Sequence, residues 1–153
     1  MRNKTFHLFL QTLVAVTINF TCMSCTLETS DNGKLDGYWH LEQVDTLATS
    51  GVCNLSDHLV FWAVQAKMLA LINRDDFNNI SGYILRFSHE SGRLRLFAPY
   101  LNDRLNGDVR IDSPEVLAPF GVNALEEDFL VEKLSGSVMC LNNGQLRLHF
   151  RKF

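Results

Sequence analysis

Two tight turns, each flanked by alternating apolar and polar residues, constrain this chain more than anything else in it. Ser91-Gly92 separates Ile80–Glu90 from Arg93–Tyr100, and Asn143-Gly144 lies inside a second alternating stretch that runs to Phe153. A two-residue turn of this type matches the twist of the flanking strands and fixes their register. In the first hairpin that register sets Glu90 against Arg93, Phe87 against Leu96 and Tyr83 against Tyr100. One face then gathers Tyr83, Leu85, Phe87, Leu94, Leu96, Ala98 and Tyr100. The other gathers Arg86, Ser88, Glu90, Arg93 and Arg95, with Ile84 and Phe97 as apolar exceptions. The second hairpin sets Leu141 against Leu146, Met139 against Leu148 and Ser137 against Phe150, with Val138, Cys140, Arg147, His149 and Arg151 opposite. One dry and one wet face in each hairpin is the pattern of an antiparallel sheet over a core.

The rest of the chain adds strands and one helix start. Gly37–Leu47 is strand-like, with Trp39 and Leu41 on one side, and Asp128–Leu134 supplies another strand. Residues 60–72 alternate with Val60, Trp62, Val64, Ala66, Met68, Ala70 and Ile72 on one face, but their Ala, Met, Leu, Gln and Lys content also suits a helix. Ser113-Pro114-Glu115 resembles a capped helix start that should stop near Phe120-Gly121. The chain has 153 residues, 46% hydrophobic and 20% charged, which suits one folded domain and excludes a disordered tail. The expected fold is a mostly β, antiparallel up-and-down barrel of about eight strands with one short helix. A net charge of −3 gives no basic face for nucleic acid.

Residues 1–24 read as a signal peptide. Arg2 and Lys4 precede an apolar run from Phe6 to Phe20 that is shorter than the roughly twenty residues of a spanning helix. Thr21-Cys22-Met23-Ser24-Cys25 resembles the lipobox of bacterial lipoproteins, with Cys25 as the lipidated N-terminus and Cys22 as a competing site. Residues 25–34 then form a lipidated tether and residues 35–153 the barrel. Removing the leader takes away Arg2 and Lys4 but no acid, leaving 129 residues with a formal charge of −5. Such a surface gains nothing from anionic headgroups, so the acyl chains must hold the protein.

The Gly37-x-Trp39-x-Leu41 start behind such a leader, Trp62-Ala-Val-Gln65, Glu132-Lys133-Leu134 and the terminal Phe150-Arg-Lys-Phe153 together resemble the lipocalin-like lipoproteins of unknown function from Bacteroides-type bacteria. The resemblance spans most of residues 35–153. It implies a calycin-type barrel anchored on an outer membrane, facing the periplasm or the outside. It brings no agreed ligand and no catalytic residues.

Functional residues have to be sought one by one. On a regular first strand, Gln43 and Asp45 fall on the same side as Trp39 and Leu41. Polar groups inside an apolar cavity need partners, and a small apolar or amphipathic ligand is one. A bulge near residue 43, or a wet barrel rim, would remove that need. Tyr83 and Tyr100, adjacent on the dry face, would line the same space or simply pack. Four mature histidines, His40, His58, His89 and His149, are scattered, and Asn102–Asp108 echoes a calcium loop with Arg104 where an oxygen is required, so no metal or other cofactor is expected. Arg74-Asp75-Asp76 and Glu126-Glu127-Asp128 read as charged loops. No nucleophile elbow, phosphate loop or dinucleotide fingerprint is present, so a non-catalytic binding module is expected, with a scaffold docking an envelope protein as the alternative. Once Cys22 is cleaved away and Cys25 lipidated, Cys53 in the 48–59 loop and Cys140 are left as a candidate disulfide.

Overall fold

A computed structural model describes residues 30–78, 82–103 and 105–153, so the leader and Cys25 lie outside the described residues. Ten strands follow in order: β1 (Gly37–Thr46), β2 (Gly51–Asn54), β3 (Val60–Gln65), β4 (Met68–Asn73), β5 (Tyr83–Glu90), β6 (Arg93–Leu101), β7 (Val109–Arg110), β8 (Glu127–Leu134), β9 (Val138–Asn142) and β10 (Leu146–Lys152). Eight of them pair antiparallel around a ring, β1-β3-β4-β5-β6-β8-β9-β10, and β10 returns to β1 to close it. The expected eight-stranded up-and-down barrel is therefore the fold. β2 lies outside the ring against the second half of β1, and β7 against the end of β6.

The interior is filled by large side chains. Trp39 and Trp62 are directly opposed on β1 and β3 and are both fully buried, with Phe129, Leu69, Leu71, Leu94, Leu96 and Leu141 around them. The rings of Phe150 and Phe129 stand 5.0 and 5.9 Å from that of Trp62. Each indole N–H needs an acceptor once it is buried, and each finds one at a different end of the barrel. Trp39 Nε1 donates to Leu35 O (2.7 Å), in the 3₁₀ turn Gly33–Leu35 that plugs one end. Trp62 Nε1 donates to Phe120 O (3.2 Å), in the 3₁₀ segment Pro114–Phe120 that caps the other. Leu35, Leu117, Phe120 and Val122 are buried by these two closures.

The two ends differ in character. At the plugged end the strands are joined by short turns and the incoming chain is strapped down: Ala66 N–H donates to Ser30 Oγ (2.7 Å) and Asn32 Nδ2 to Ala66 O (2.6 Å). At the other end, the mouth, lie the long 102–126 connection with its cap, the β2 flap and the 143–145 turn.

Four details depart from the sequence reading. Residues 60–72 form neither one strand nor a helix; they fold back at Ala66-Lys67, where Ala66 takes φ 52°. A two-residue turn sets Val64 against Leu69 and Trp62 against Leu71, so the inward residues of β4 are Leu69 and Leu71 rather than Met68, Ala70 and Ile72. The β9–β10 pairing is Leu148 with Leu141 and Phe150 with Met139, two residues from the expected register. Asn143 causes this, because its Oδ1 accepts from Leu146 N–H (2.7 Å) and Gln145 N–H (3.0 Å) and widens the turn. A shift of two preserves the faces. Near Ser91-Gly92 the expected register holds, but Ala98 at φ 50° makes a bulge, beyond which Tyr83 pairs with Leu101 and Ile84 with Tyr100. The short helix is a 3₁₀ segment, with Pro114 at its start and Gly121 in the left-handed conformation at its end, and Ser113 makes no side-chain cap.

Gly82, just before β5, approaches β4 closely because it lacks a side chain. Gly82 has φ 71°, and a Cβ there would stand 2.1 Å from Leu71 O. Gly92 also has a positive φ but nothing lies within 4 Å of its would-be Cβ. Gly92→Ala should therefore cost about 1 kcal/mol, the backbone term alone, and Gly82→Ala about 3 kcal/mol because backbone must move. Urea unfolding midpoints of the two variants check the difference, and equal midpoints would contradict the contact.

Candidate functional site

β1 does not run straight. Leu41 pairs with Phe150 and Gln43 with His149, so Glu42 is an extra residue that bulges the strand. The bulge reverses which side chains face inward. Val44, paired with Leu148, turns to the core, while Gln43 and Asp45 turn to the outer face beside His149 and Arg147. The interior placement expected of Gln43 and Asp45 is therefore corrected. Tyr100 is corrected likewise: the Ala98 bulge pairs it with Ile84 on the outer face, leaving Tyr83 inside with its ring 5.9 Å from Phe120.

The outer face of β8, β9, β10 and β1 carries a continuous polar seam. Gln43 Nε2 donates to Asp45 Oδ1 (2.6 Å), and Asp45 Oδ2 lies 2.8 Å from His149 Nε2. Those hydrogen bonds, from His149 first, hold the Asp45 carboxyl below its ordinary range. Glu132, itself the extra residue of a bulge in β8, takes both Nε (2.7 Å) and Nη2 (3.1 Å) of Arg147 and Asn142 Nδ2 (2.7 Å). Its pKa falls to about 2, chiefly through the Arg147 hydrogen bonds. The Cys140 thiol donates to Glu132 (3.4 Å), and burial with that carboxylate pushes its pKa up to about 11.

Cys53 and Cys140 are both free thiols. Cys53 sits on β2 opposite Val44, which faces inward, whereas Cys140 faces out beside His149. The expected disulfide between them is therefore corrected: they stand on opposite faces of the wall. The calcium-like loop also closes on itself, with Asp103 Oδ1 accepting from Leu105 and Asn106 N–H (3.2 Å each) and Oδ2 from Asn106 Nδ2 (2.8 Å). The acidic run is structural: Glu126 and Asp128 pair with Arg95 (2.7 Å) and Arg93 (3.0 Å), and Glu127 binds Asn123 N–H and the Asn143 side chain.

A hollow with apolar walls and a polar rim lies at the mouth. It has a volume of about 350 Å³ and lies between β1 and its β2 flap, the starts of β3 and β10, the end of β4 and the cap. Val44, Leu55, Val60, Leu146 and Pro119 supply apolar walls; Cys53, His58, Asn73 and Asp75 supply the polar rim. Gly121 belongs to the same wall, and a side chain there would strike Leu148, 2.6 Å from its would-be Cβ. The loop that carries His58 is pinned from four sides. Leu55 N–H donates to Glu42 O (2.7 Å), His40 Nε2 to His58 O (2.7 Å), Arg74 N–H to Leu59 O (2.9 Å) and Leu59 N–H to Asp75 Oδ2 (2.9 Å). A second hollow of about 380 Å³ lies at the plugged end against Asp31, Asn32, Lys67 and Glu90, with Phe87 as its apolar contribution.

Of the residues nominated from sequence, none of Gln43, Asp45, Tyr83 and Tyr100 lines the mouth cleft, and Cys53 does. Val44, Leu55, His58, Val60 and Asp75 were not singled out as ligand contacts. The one available signal was the bulge near residue 43, since it turns Val44 inward.

A family model for the lipocalin-like domain matches residues 19–153, so the chain belongs to the lipocalin-like family. Among solved structures it is similar to a lipocalin-like protein from Bacteroides uniformis ATCC 8492, at 21% identity and a TM-score of 0.61, covering 79% of this chain and 100% of that one. It is also similar to an uncharacterized protein from Bacteroides eggerthii DSM 20697, at 15% identity and a TM-score of 0.55, covering 77% of this chain and 98% of that one. No curated protein matches.

The Glu132 pKa makes the acid limb of stability predictable. A carboxyl depressed in the folded state stabilises the fold above its ordinary value near 4.5, and the gain is lost as pH falls toward about 2. Glu132 is partly exposed, and after solvent screening its contribution is about 1 kcal/mol. Glu132→Gln should cost that much near neutral pH and should flatten the fall in stability between those two values. Urea titrations across the acid range test it; parallel curves for the two proteins would remove Glu132 as the cause.

Proposed function

We propose that this protein is a lipid-anchored, non-catalytic binding module that takes a small apolar or amphipathic molecule in the cleft at the barrel mouth. The observation that carries this reading is the cleft itself: apolar walls from five separate segments, a polar rim, and a loop already fixed by hydrogen bonds. Ligand sites of small molecules have this composition, and a fixed wall spares the entropy of ordering on binding. The axial space that deeper barrels offer is filled by Trp39, Trp62 and their neighbours, so the site is the rim rather than the axis.

An anchor at Cys25 fits the strapped entry of the chain. Ser30 is held against the turn at Ala66, and five residues reach about 17 Å at most. The plugged end then faces an outer-membrane leaflet and the mouth faces away, open to its ligand. Whether that leaflet is the periplasmic or the outer one, the geometry is the same.

The test uses a neutral fluorescent probe, N-phenyl-1-naphthylamine, with the intact mature protein. Binding should be lost in Cys53→Trp, whose new ring fills the cleft from an exposed strand, while the unfolding midpoint stays within about 0.5 kcal/mol of the parent. Mass spectrometry of the membrane-extracted protein should show acylated Cys25. A probe that binds the variant as well as the parent rules out the cleft, and the alternative of a scaffold that docks an envelope protein then takes its place.

A further inference from the structure

Resting on that reading of the mouth cleft, we infer that its ligand is an amphipathic amine: an apolar body with a protonated amino head, rather than a fatty acid. The argument is one of donors and acceptors at the rim. Asp75 Oδ2 accepts the Leu59 N–H (2.9 Å) and lies 3.2 Å from His58 Nδ1. An ionised carboxylate has no proton to give, so the proton between these two atoms belongs to Nδ1. Asn73 Oδ1 accepts the Asp75 N–H (3.0 Å), which fixes the backbone at Asp75. The rim thus carries the Asp75 carboxylate, flanked by His58 and Asn73, above walls of Val44, Leu55, Val60 and Leu146.

Charge points the same way. No lysine or arginine is among the described residues that line the cleft; Arg74 lies between Asn73 and Asp75 in sequence but is not part of the wall. Asp57, next to His58, is exposed and adds negative charge nearby. A carboxylate ligand would meet Asp75 with no lysine or arginine in the lining to offset it, whereas an ammonium group brings three donors and the opposite charge. A neutral alcohol brings one donor and no charge, and falls between.

Three ligands of one chain length decide the matter: dodecylamine, dodecanol and dodecanoate, each used below its micellar concentration to displace the naphthylamine probe from the mature protein. The amine should compete roughly tenfold better than the carboxylate, with the alcohol between them. In Asp75→Asn the three should converge, with the alcohol unchanged. Should Asp75→Asn loosen the loop through Leu59, the order measured on the parent protein decides alone. Equal competition by amine and carboxylate, or a better carboxylate, overturns the inference while leaving the cleft as the site. Failure of the probe to bind, or of all three to displace it, overturns the inference together with the proposed function.

Discussion

The Trp39–Trp62 pair is the constraint on which the rest of this barrel depends. Two indoles directly opposed on neighbouring strands take up the central cross-section of an eight-stranded ring, which is only wide enough to be filled by side chains or to hold one small ligand. Each must also place a buried N–H, worth about 1 kcal/mol when satisfied and more when not. They do so in opposite directions along the axis, Trp39 to the plug at Leu35 and Trp62 to the cap at Phe120. Core filling and end closure are thus one event. The described side chains fill the barrel along its axis, and open space remains where the cap and the wall fail to meet.

Where they fail to meet is decided by bulges. Glu42 and Glu132 are each the extra residue of a bulged strand, and each reaches an arginine of β10, Arg151 and Arg147 respectively. A bulge twists its strand and re-aims the side chains beyond it. At Glu42 the consequence is twofold: Gln43 and Asp45 leave the interior for the polar seam with His149, and Val44 enters to become a wall of the cleft. The same residue's carbonyl receives Leu55 N–H and so sets the β2 flap that forms the opposite wall. The outer seam and the inner cleft are two sides of one irregularity.

This explains what could be read from the sequence and what could not. Dry and wet faces around Ser91-Gly92 were legible because a two-residue turn and strict alternation reinforce one another, and Phe87 does pair with Leu96. They survived even the two-residue slip at Asn143, since a shift of two keeps parity. Parity failed where a single residue intervened, at Glu42 and at Ala98, and where the two-residue Ala66-Lys67 turn lay hidden in an unbroken apolar run. Nothing in Ala98 or Ala66 announces a positive φ, because glycine or asparagine is the usual occupant. The candidate cleft was illegible for a related reason. Its walls come from positions 44, 55, 60, 119 and 146, each an ordinary apolar residue, and only the closed ring brings them together.

The polar rim follows from the same closure. His40 is buried on the outer side of β1 against Phe61, with ring centroids 5.0 Å apart, and has one backbone acceptor, the carbonyl of His58. That bond aims the His58 loop across the start of β3, where Leu59 N–H and His58 Nδ1 both converge on Asp75. Buried polar groups accept few arrangements because an unpaired one costs about 1–3 kcal/mol. The chain of bonds from His40 through His58 to Asp75 therefore transmits the rigidity of the barrel wall to the lip of the cleft. A lip fixed in advance is spared the entropy of ordering when a partner arrives.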